Sequence, residues 1–211
     1  MRKGVCIMKN ILCYGDSNTW GCIPGVLKRY DAQKRWTGVA AKELGAGYNM
    51  MEDGINGRST VWNDPANQCR NGLEGLGYAL YRAKPLDLVV VMLGTNDLNY
   101  TDAEGFYKGL RMLAKRILAA NEVFPGTSDV FAAKPQLLLV SPIALHPTMK
   151  KYSESLKFAY FTEKLAGELD VPWLDGAAFA EASELDGCHM DEENHARIGK
   201  AIARKIKQLL G

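Results

Sequence analysis

The sequence predicts a three-layer α/β/α sandwich around a mostly parallel sheet of five strands. Three short runs are almost entirely apolar, which is typical of strands that helices cover on both faces. Stretches with helical periodicity separate these runs, so strands and helices alternate along the chain. We find no repeat, low-complexity tract or dividing linker, and therefore expect residues 1–211 to form one domain, with residues 1–8 as an N-terminal extension.

Five strands are predicted from the apolar runs. In chain order these are ILCY, YNMME, LDLVVVML, QLLLVS and the shorter VPWLD, at residues 11–14, 48–52, 86–93, 136–141 and 171–175. All of them are far too short to cross a bilayer as a helix.

Helices are predicted between the strands and at the C-terminal end. Residues 35–45 end at Gly45, and glycine commonly follows the last turn of a helix. Residues 103–120 and 194–210 place apolar side chains three or four positions apart, which forms one apolar stripe. Residues 123–135 are rich in turn-forming residues and are predicted to be a loop.

The composition is that of an ordinary globular protein with little net charge. The formal net charge is +2, and no block of like charge favours a nucleic-acid partner. The five cysteines are scattered and form no C-x-x-C pair, so we expect reduced thiols and a cytoplasmic location. The N-terminus lacks the apolar segment of a secretory signal, and Met8 is an alternative start.

Polar residues directly after the first three strands indicate a functional site. Gly-Asp-Ser ends at Ser17 after the first strand, Gly57 follows the second and Asn96 follows the third. Ligands of parallel α/β sheets bind beyond the carboxyl ends of the strands, so these residues are candidates to meet. A glycine allows close backbone approach and an asparagine amide donates hydrogen bonds, which together with the Ser17 amide suits an oxyanion hole.

A serine nucleophile needs a base, and the chain has three histidines. Asp186 and His189 have D-x-x-H spacing before the last helix, so the carboxylate can orient one imidazole nitrogen while the other faces Ser17. His146 follows the fourth strand, where it can line a site, but no carboxylate is close to it in sequence. His195 falls at the start of the last predicted helix and is interpreted as a surface or capping residue.

These motifs, in this order, resemble the SGNH (GDSL-type) esterases. The four blocks are G-D-S, the glycine after the second strand, G-x-N-D and D-x-x-H, and they span residues 11–199. Stretches such as RWTGVAAKELGA and PLDLVVVMLGTND resemble the arylesterase and acyltransferase branch of that family. The first block commonly reads Gly-Asp-Ser-Leu, and Asn18 replaces the leucine here.

The resemblance implies a flavodoxin-like sandwich and a serine esterase that uses neither a metal nor an organic cofactor. Ser17 would be the nucleophile, His189 the general base and then acid, and Asp186 the orienting carboxylate. The Ser17 and Gly57 amides and the Asn96 side chain would hold the oxyanion.

A small-molecule ester with a short, acetyl-type acyl chain is the implied substrate, and both hydrolysis and transfer to an alcohol are open. No nucleic-acid or membrane partner is expected, and a homo-oligomer is left open. The segment 142–152 is a candidate rim of the site or contact between subunits.

The neighbours of these motifs have plainer interpretations. Asp16 and Asp97 are expected to fix turns through backbone hydrogen bonds. Trp20 either packs in the core or walls the acyl pocket and binds substrate, and Arg58 is expected to face solvent. Cys188 is interpreted as a buried or partly buried thiol.

Other classes of function fit the sequence less well. A nucleotide-binding module would need G-K-[ST], and Asp16 would repel a phosphate. An α/β-hydrolase would show G-x-S-x-G, and the tract HMDEENH lacks the H-E-x-x-H spacing of a zinc site. A non-catalytic small-molecule-binding or scaffold protein that retains the motifs is the alternative.

Overall fold

The computed structural model of the chain describes residues 8–26, 28–124, 126 and 128–211. The extension expected over residues 1–8 therefore lies outside the described residues, apart from Met8. The same holds for positions 125 and 127 of the predicted loop.

A single parallel sheet organises the described residues. Its strands are β1 (Lys9–Gly15), β2 (Tyr48–Gly54), β3 (Leu88–Met92), β4 (Leu137–Val140) and β5 (Trp173–Leu174). They lie in the order β2-β1-β3-β4-β5, and each neighbouring pair is parallel. The predicted α/β sandwich with five strands is confirmed, although β5 is only two residues long.

Helices cover both faces of this sheet. They are α1 (Ser17–Trp20), α2 (Trp36–Leu44), α3 (Gly72–Ala83), α4 (Ala103–Leu118), α5 (Ala120–Val123), α6 (Tyr152–Ser155), α7 (Phe158–Leu169) and α8 (Glu192–Leu210). The sequence predicted α2, α4 and α8 but not α3 or α7. No helix of the described residues is long and apolar enough to cross a membrane.

The alternation of side chains along the strands divides the apolar residues into two cores. Leu12 and Tyr14 of β1 pack with α3, α4 and α7 on one face. Ile11 and Cys13 point to the other face and pack with α2 and α8. Both cores share one sheet, which supports the proposal that the chain forms a single domain.

The carboxyl ends of β1, β2 and β3 meet at one edge of the sheet. Gly15, the last residue of β1, pairs with Gly54 at the end of β2 and with Met92 at the end of β3. The segments that follow these three strands therefore leave the sheet side by side, as the sequence analysis requires for a common site.

The helix α8 begins two residues earlier than predicted, and His195 within it is buried. Asp191 caps the helix by accepting a hydrogen bond from the Asn194 amide at 2.8 Å. His195 is fully buried, and its Nδ1 accepts a hydrogen bond from the Trp36 amide at 3.2 Å. The expectation of a surface or capping residue was wrong, because His195 lies on the face of α8 that packs against α2. Burial lowers the pKa of His195 from 6.5 to about 4, so the ring is neutral at pH 7.

Candidate active site

The turn between β1 and α1 places Ser17 at the edge of the sheet. Asp16 precedes α1, and its Oδ1 accepts a hydrogen bond from the Asn18 amide at 2.9 Å, which confirms the turn-fixing role predicted for it. Gly15 leaves no room for a side chain, since a Cβ there would lie 2.0 Å from Thr19 Oγ1. Ser17 is thereby the first residue of α1, directly beyond the strand end.

Ser17, His189 and Asp186 form a continuous chain of hydrogen bonds. His189 Nε2 lies 2.9 Å from Ser17 Oγ, and His189 Nδ1 lies 2.8 Å from Asp186 Oδ2. A carboxylate only accepts, so Nδ1 carries the proton and Nε2 is free to accept from the Ser17 hydroxyl. The arrangement is that of a hydroxyl nucleophile, a general base and an orienting carboxylate.

The Asp186 carboxylate is held in its ionised form by several donors. Besides the imidazole, it accepts hydrogen bonds from the amides of Gly25 at 2.8 Å, His189 at 3.1 Å and Cys188 at 3.2 Å. Burial alone would raise the pKa of this carboxyl, but these hydrogen bonds outweigh it and lower the pKa from 3.8 to about 2. Asp186 is therefore charged at neutral pH and accepts from the imidazole.

The other two predicted donors lie on the cleft that contains Ser17. Gly57 has φ +79°, a conformation that a glycine adopts without strain. Asn96 lies in the 3₁₀ turn Thr95–Asn99 after β3, and its Nδ2 donates to the Arg58 carbonyl at 3.0 Å. An amide nitrogen has two hydrogens, so one fixes the side chain and the second is available to a ligand.

Asp97, in the same turn, is hydrogen-bonded to the loop after β2. It is fully buried and accepts hydrogen bonds from the Thr60 amide at 2.9 Å and from the Thr60 hydroxyl. Burial raises the pKa of Asp97 from 3.8 to about 7 against these hydrogen bonds. The structural role predicted for Asp97 is confirmed, but its carboxylate ties the turn after β3 to the loop after β2 instead of bonding its own turn.

Arg58 does not face solvent, and that expectation was wrong. Its side chain is 3% exposed and lies over the ring of Tyr14 at 4.0 Å. The guanidinium donates to the carbonyls of Gly15 at 3.0 Å and Asp53 at 2.7 Å, and pairs with the Asp53 carboxylate at 2.7 Å. Arg58 therefore joins the ends of β1 and β2, from which Ser17 and Gly57 follow.

A single cleft of about 600 Å³ contains Ser17, Gly57, Asn96 and His189. The candidate rim segment 142–152 contributes to it, through Leu145, Met149, Lys150 and Lys151. Cys22, Asn56, Arg70 and Leu98 also line the cleft, and the sequence analysis identified none of these. Loop residues of this kind carry no periodicity that would have revealed them.

Trp20 and His146 are not among the residues that line the cleft. Trp20 is half-buried, its carbonyl accepts from Arg29 Nε at 2.7 Å, and the Arg29 guanidinium lies 5.1 Å from the ring centre. His146 Nδ1 lies 2.9 Å from Thr148 Oγ1, and its amide donates to the Gly187 carbonyl at 2.9 Å. Trp20 is the last residue of α1 and belongs to neither apolar core, so its role as a wall of the acyl pocket stays a prediction.

Cys188 lies beside the imidazole, and its Sγ contacts both Asp186 and His189. The Asp186, Cys188 and His189 ligand atoms lie within 4.8 Å of one another, and Cys188 Sγ is 3.5 Å from His189 Nδ1. Burial and the neighbouring Asp186 charge raise the pKa of this half-buried thiol to about 12. Both imidazole nitrogens are already engaged by Asp186 Oδ2 and Ser17 Oγ, so the cluster fits a carboxylate–imidazole pair.

Nearly the whole chain is similar to a known family and to solved structures. The model of the GDSL-like lipase/acylhydrolase family matches residues 13–197. The native aryl esterase of M. smegmatis is 32% identical, with a TM-score of 0.88, over 96% of this chain and 100% of that one. Est24, a carbohydrate acetylesterase from Sinorhizobium meliloti, is also 32% identical over 96% and 100% of the two chains, with a TM-score of 0.89. The search of curated proteins returned no match.

Proposed function

The chain belongs to the GDSL-like lipase/acylhydrolase family, and from that premise we propose that it hydrolyses short-chain, acetyl-type esters through an acyl-enzyme on Ser17. The family and its esterase neighbours make it a carboxylic ester hydrolase. One observation carries the proposal: Ser17, His189 and Asp186 are joined at 2.9 and 2.8 Å in the cleft that also contains Gly57 and Asn96.

In the proposed mechanism Ser17 Oγ attacks the ester carbonyl while His189 Nε2 takes the hydroxyl proton. The negative charge that develops on the carbonyl oxygen is stabilised by the amides of Ser17 and Gly57 and by the free hydrogen of Asn96 Nδ2. His189 then donates its proton to the departing alcohol oxygen, which leaves the acyl group on Ser17. Asp186 holds the imidazole in the required tautomer and stabilises its positive charge.

The acyl group is then transferred to water or to a second alcohol, with His189 acting as base for the acceptor. We propose hydrolysis as the main outcome and transfer to small alcohols as a second outcome of the same intermediate. The cleft volume of about 600 Å³ is ordinary for a small-molecule site and accommodates such an ester. Because the similar structures are named as an aryl esterase and a carbohydrate acetylesterase, we propose an aryl or sugar alcohol as the leaving part.

The alternative is a small-molecule-binding or scaffold protein that keeps the fold without turnover. The ionised Asp186 and the intact hydrogen bond from Ser17 to His189 favour the enzyme, since a binding protein has no need of either. A cytoplasmic location and a homo-oligomer stay predictions from the sequence.

The test is hydrolysis of 4-nitrophenyl acetate by the wild type and by a folded Ser17→Ala variant. We expect turnover by the wild type alone, with longer acyl chains turned over more slowly. The same reaction with added butanol, followed by product analysis, measures butyl acetate against acetate and so separates transfer from hydrolysis. Equal rates for both proteins, or no turnover across several acyl lengths, would refute the esterase proposal and favour the binding protein.

A further inference from the structure

Asn18 makes two hydrogen bonds to the segment that contains His189. It is the residue that departs from the common Gly-Asp-Ser-Leu block. It follows Ser17 in α1 and is 4% exposed. Its Nδ2 donates to the Cys188 carbonyl at 3.0 Å, and its Oδ1 accepts from the Met190 amide at 2.9 Å. The two backbone groups flank His189, so one carboxamide binds both sides of the histidine.

This double contact fixes the distance between the side chains of Ser17 and His189, which are remote in sequence. Asn18 directly follows Ser17 in the chain. Its side-chain carboxamide holds the backbone of residues 188–190 at two points, which fixes the position and orientation of that segment relative to Ser17. Other hydrogen bonds of His189 tie that segment to itself, since its amide donates to Asp186 and its carbonyl accepts from the Ser183 amide at 2.8 Å.

Within the described residues, only one other hydrogen bond joins α1 to residues 188–190. It is the contact between Ser17 Oγ and His189 Nε2 at 2.9 Å. During the reaction that contact is lost when Nε2–H donates to the departing oxygen instead, whereas the two Asn18 hydrogen bonds persist. A leucine in this position would supply neither hydrogen bond.

We propose that Asn18 is a positioning residue that holds the His189 imidazole where it exchanges a proton with Ser17 and with the departing alcohol. This inference rests on the proposed function of Ser17 and His189. Its distinctive consequence concerns proton donation: an imidazole that is displaced by about 1 Å donates poorly to an alkoxide. A 4-nitrophenoxide leaves without a proton and is affected less.

The experiment measures kcat/KM, which reports acylation, for ethyl acetate and for 4-nitrophenyl acetate. Asn18→Leu is similar in size and removes both hydrogen bonds. We expect it to lower kcat/KM about 100-fold for ethyl acetate and markedly less for 4-nitrophenyl acetate, with the loss mostly in kcat. Asn18→Ala also removes both hydrogen bonds without adding a charge, and it answers the question if the leucine variant does not fold.

Asn121 provides the matched control. Its Nδ2 donates to the Phe131 carbonyl at 3.0 Å and its Oδ1 accepts from the Phe131 amide at 2.9 Å, so it makes the same kind of double contact. It lies in α5, and the segment that it binds pairs with the residues leading into β3, away from the cleft. Asn121→Leu should lower the melting temperature while the ratio of the two kcat/KM values stays that of the wild type.

The outcomes distinguish the positioning role of Asn18 from the proposed function of Ser17. A ratio that changes in the folded Asn18 variants but not in Asn121→Leu supports positioning by Asn18. An equal loss on both esters, or no loss, overturns it and leaves a purely structural role. Ser17→Ala is measured in the same series: full activity there would overturn the proposed function itself, whereas an inactive Ser17→Ala with unaffected Asn18 variants overturns the positioning role alone.

Discussion

Replacing Asn96 by alanine should separate the stabilisation of the transition state from the stability of the fold. The variant loses the one hydrogen of Nδ2 that is available to an oxyanion, and such a donor accounts for about 10²–10³-fold in kcat. It also loses the 3.0 Å hydrogen bond to the Arg58 carbonyl, a net contribution of about 1 kcal/mol to the free energy of unfolding. For a chain of this length that corresponds to a fall in melting temperature of about 2–4 °C.

The assay is steady-state hydrolysis of 4-nitrophenyl acetate together with thermal melting followed by circular dichroism. Asn49→Ala is the control, because Asn49 also donates from its side chain, to Asn10 Oδ1 at 3.0 Å, but at the opposite end of β2. We expect that control to keep the activity of the wild type. If a well-folded Asn96→Ala variant turned over within about threefold of the wild type, the oxyanion role of Asn96 would be refuted.

Further predictions concern the carboxylate, the buried histidine and two glycines. Asp186→Asn should lower kcat by about 10⁴-fold, because an amide lets the imidazole adopt the wrong tautomer, and steady-state kinetics on a folded variant checks this. The pKa of His195 lies near 4 in the folded state, below its unfolded value of 6.5, so its contribution to stability is complete above pH 6.5 and is lost as the pH falls toward 4. The free energy of unfolding, measured with urea, should therefore depend less on pH over that range in His195→Asn. Gly54→Ala should lower the free energy of unfolding by about 3 kcal/mol, because its Cβ would lie 2.2 Å from the Trp20 nitrogen. A Cβ at Gly167 in α7 meets no atom within 4 Å, so Gly167→Ala should instead raise the free energy of unfolding by about 0.5–1 kcal/mol. Melting temperatures that change in the same direction for the two glycine variants would contradict the packing argument.

The sequence predicted the sheet well because its central strands are buried on both faces and therefore read as unbroken apolar runs. The helix α3 was missed because its segment contains three glycines, which hide the apolar stripe formed by Leu76, Ala79 and Leu80. The last strand was overestimated, since only Trp173 and Leu174 pair with β4. Pairing with a neighbour depends on the tertiary structure, and a short edge strand carries little sign of it.

The candidate site was predictable where its residues follow strands and not where they depend on remote partners. Ser17, Gly57 and Asn96 each come shortly after a strand. Because the carboxyl ends of parallel strands meet at one edge of the sheet, the sequence alone predicts that these residues lie close together. Nothing local shows that Arg58 is buried, since its neutralisation by Asp53 and its contacts with Gly15 exist only once β1 and β2 pair. For the same reason Asn18 drew notice only as a departure from a motif, because its partners are 170 and 172 positions away.

The separation between Ser17 and His189 also sets when activity can appear during biosynthesis. Their hydrogen bond joins positions 172 residues apart, so a growing chain carries the serine long before it carries the imidazole. At about 5–20 residues per second, a ribosome needs roughly 10–35 s to synthesise the intervening segment. Throughout that interval the nascent polypeptide lacks His189, so we expect no ester cleavage through Ser17 until residue 189 has emerged and packed beside α1.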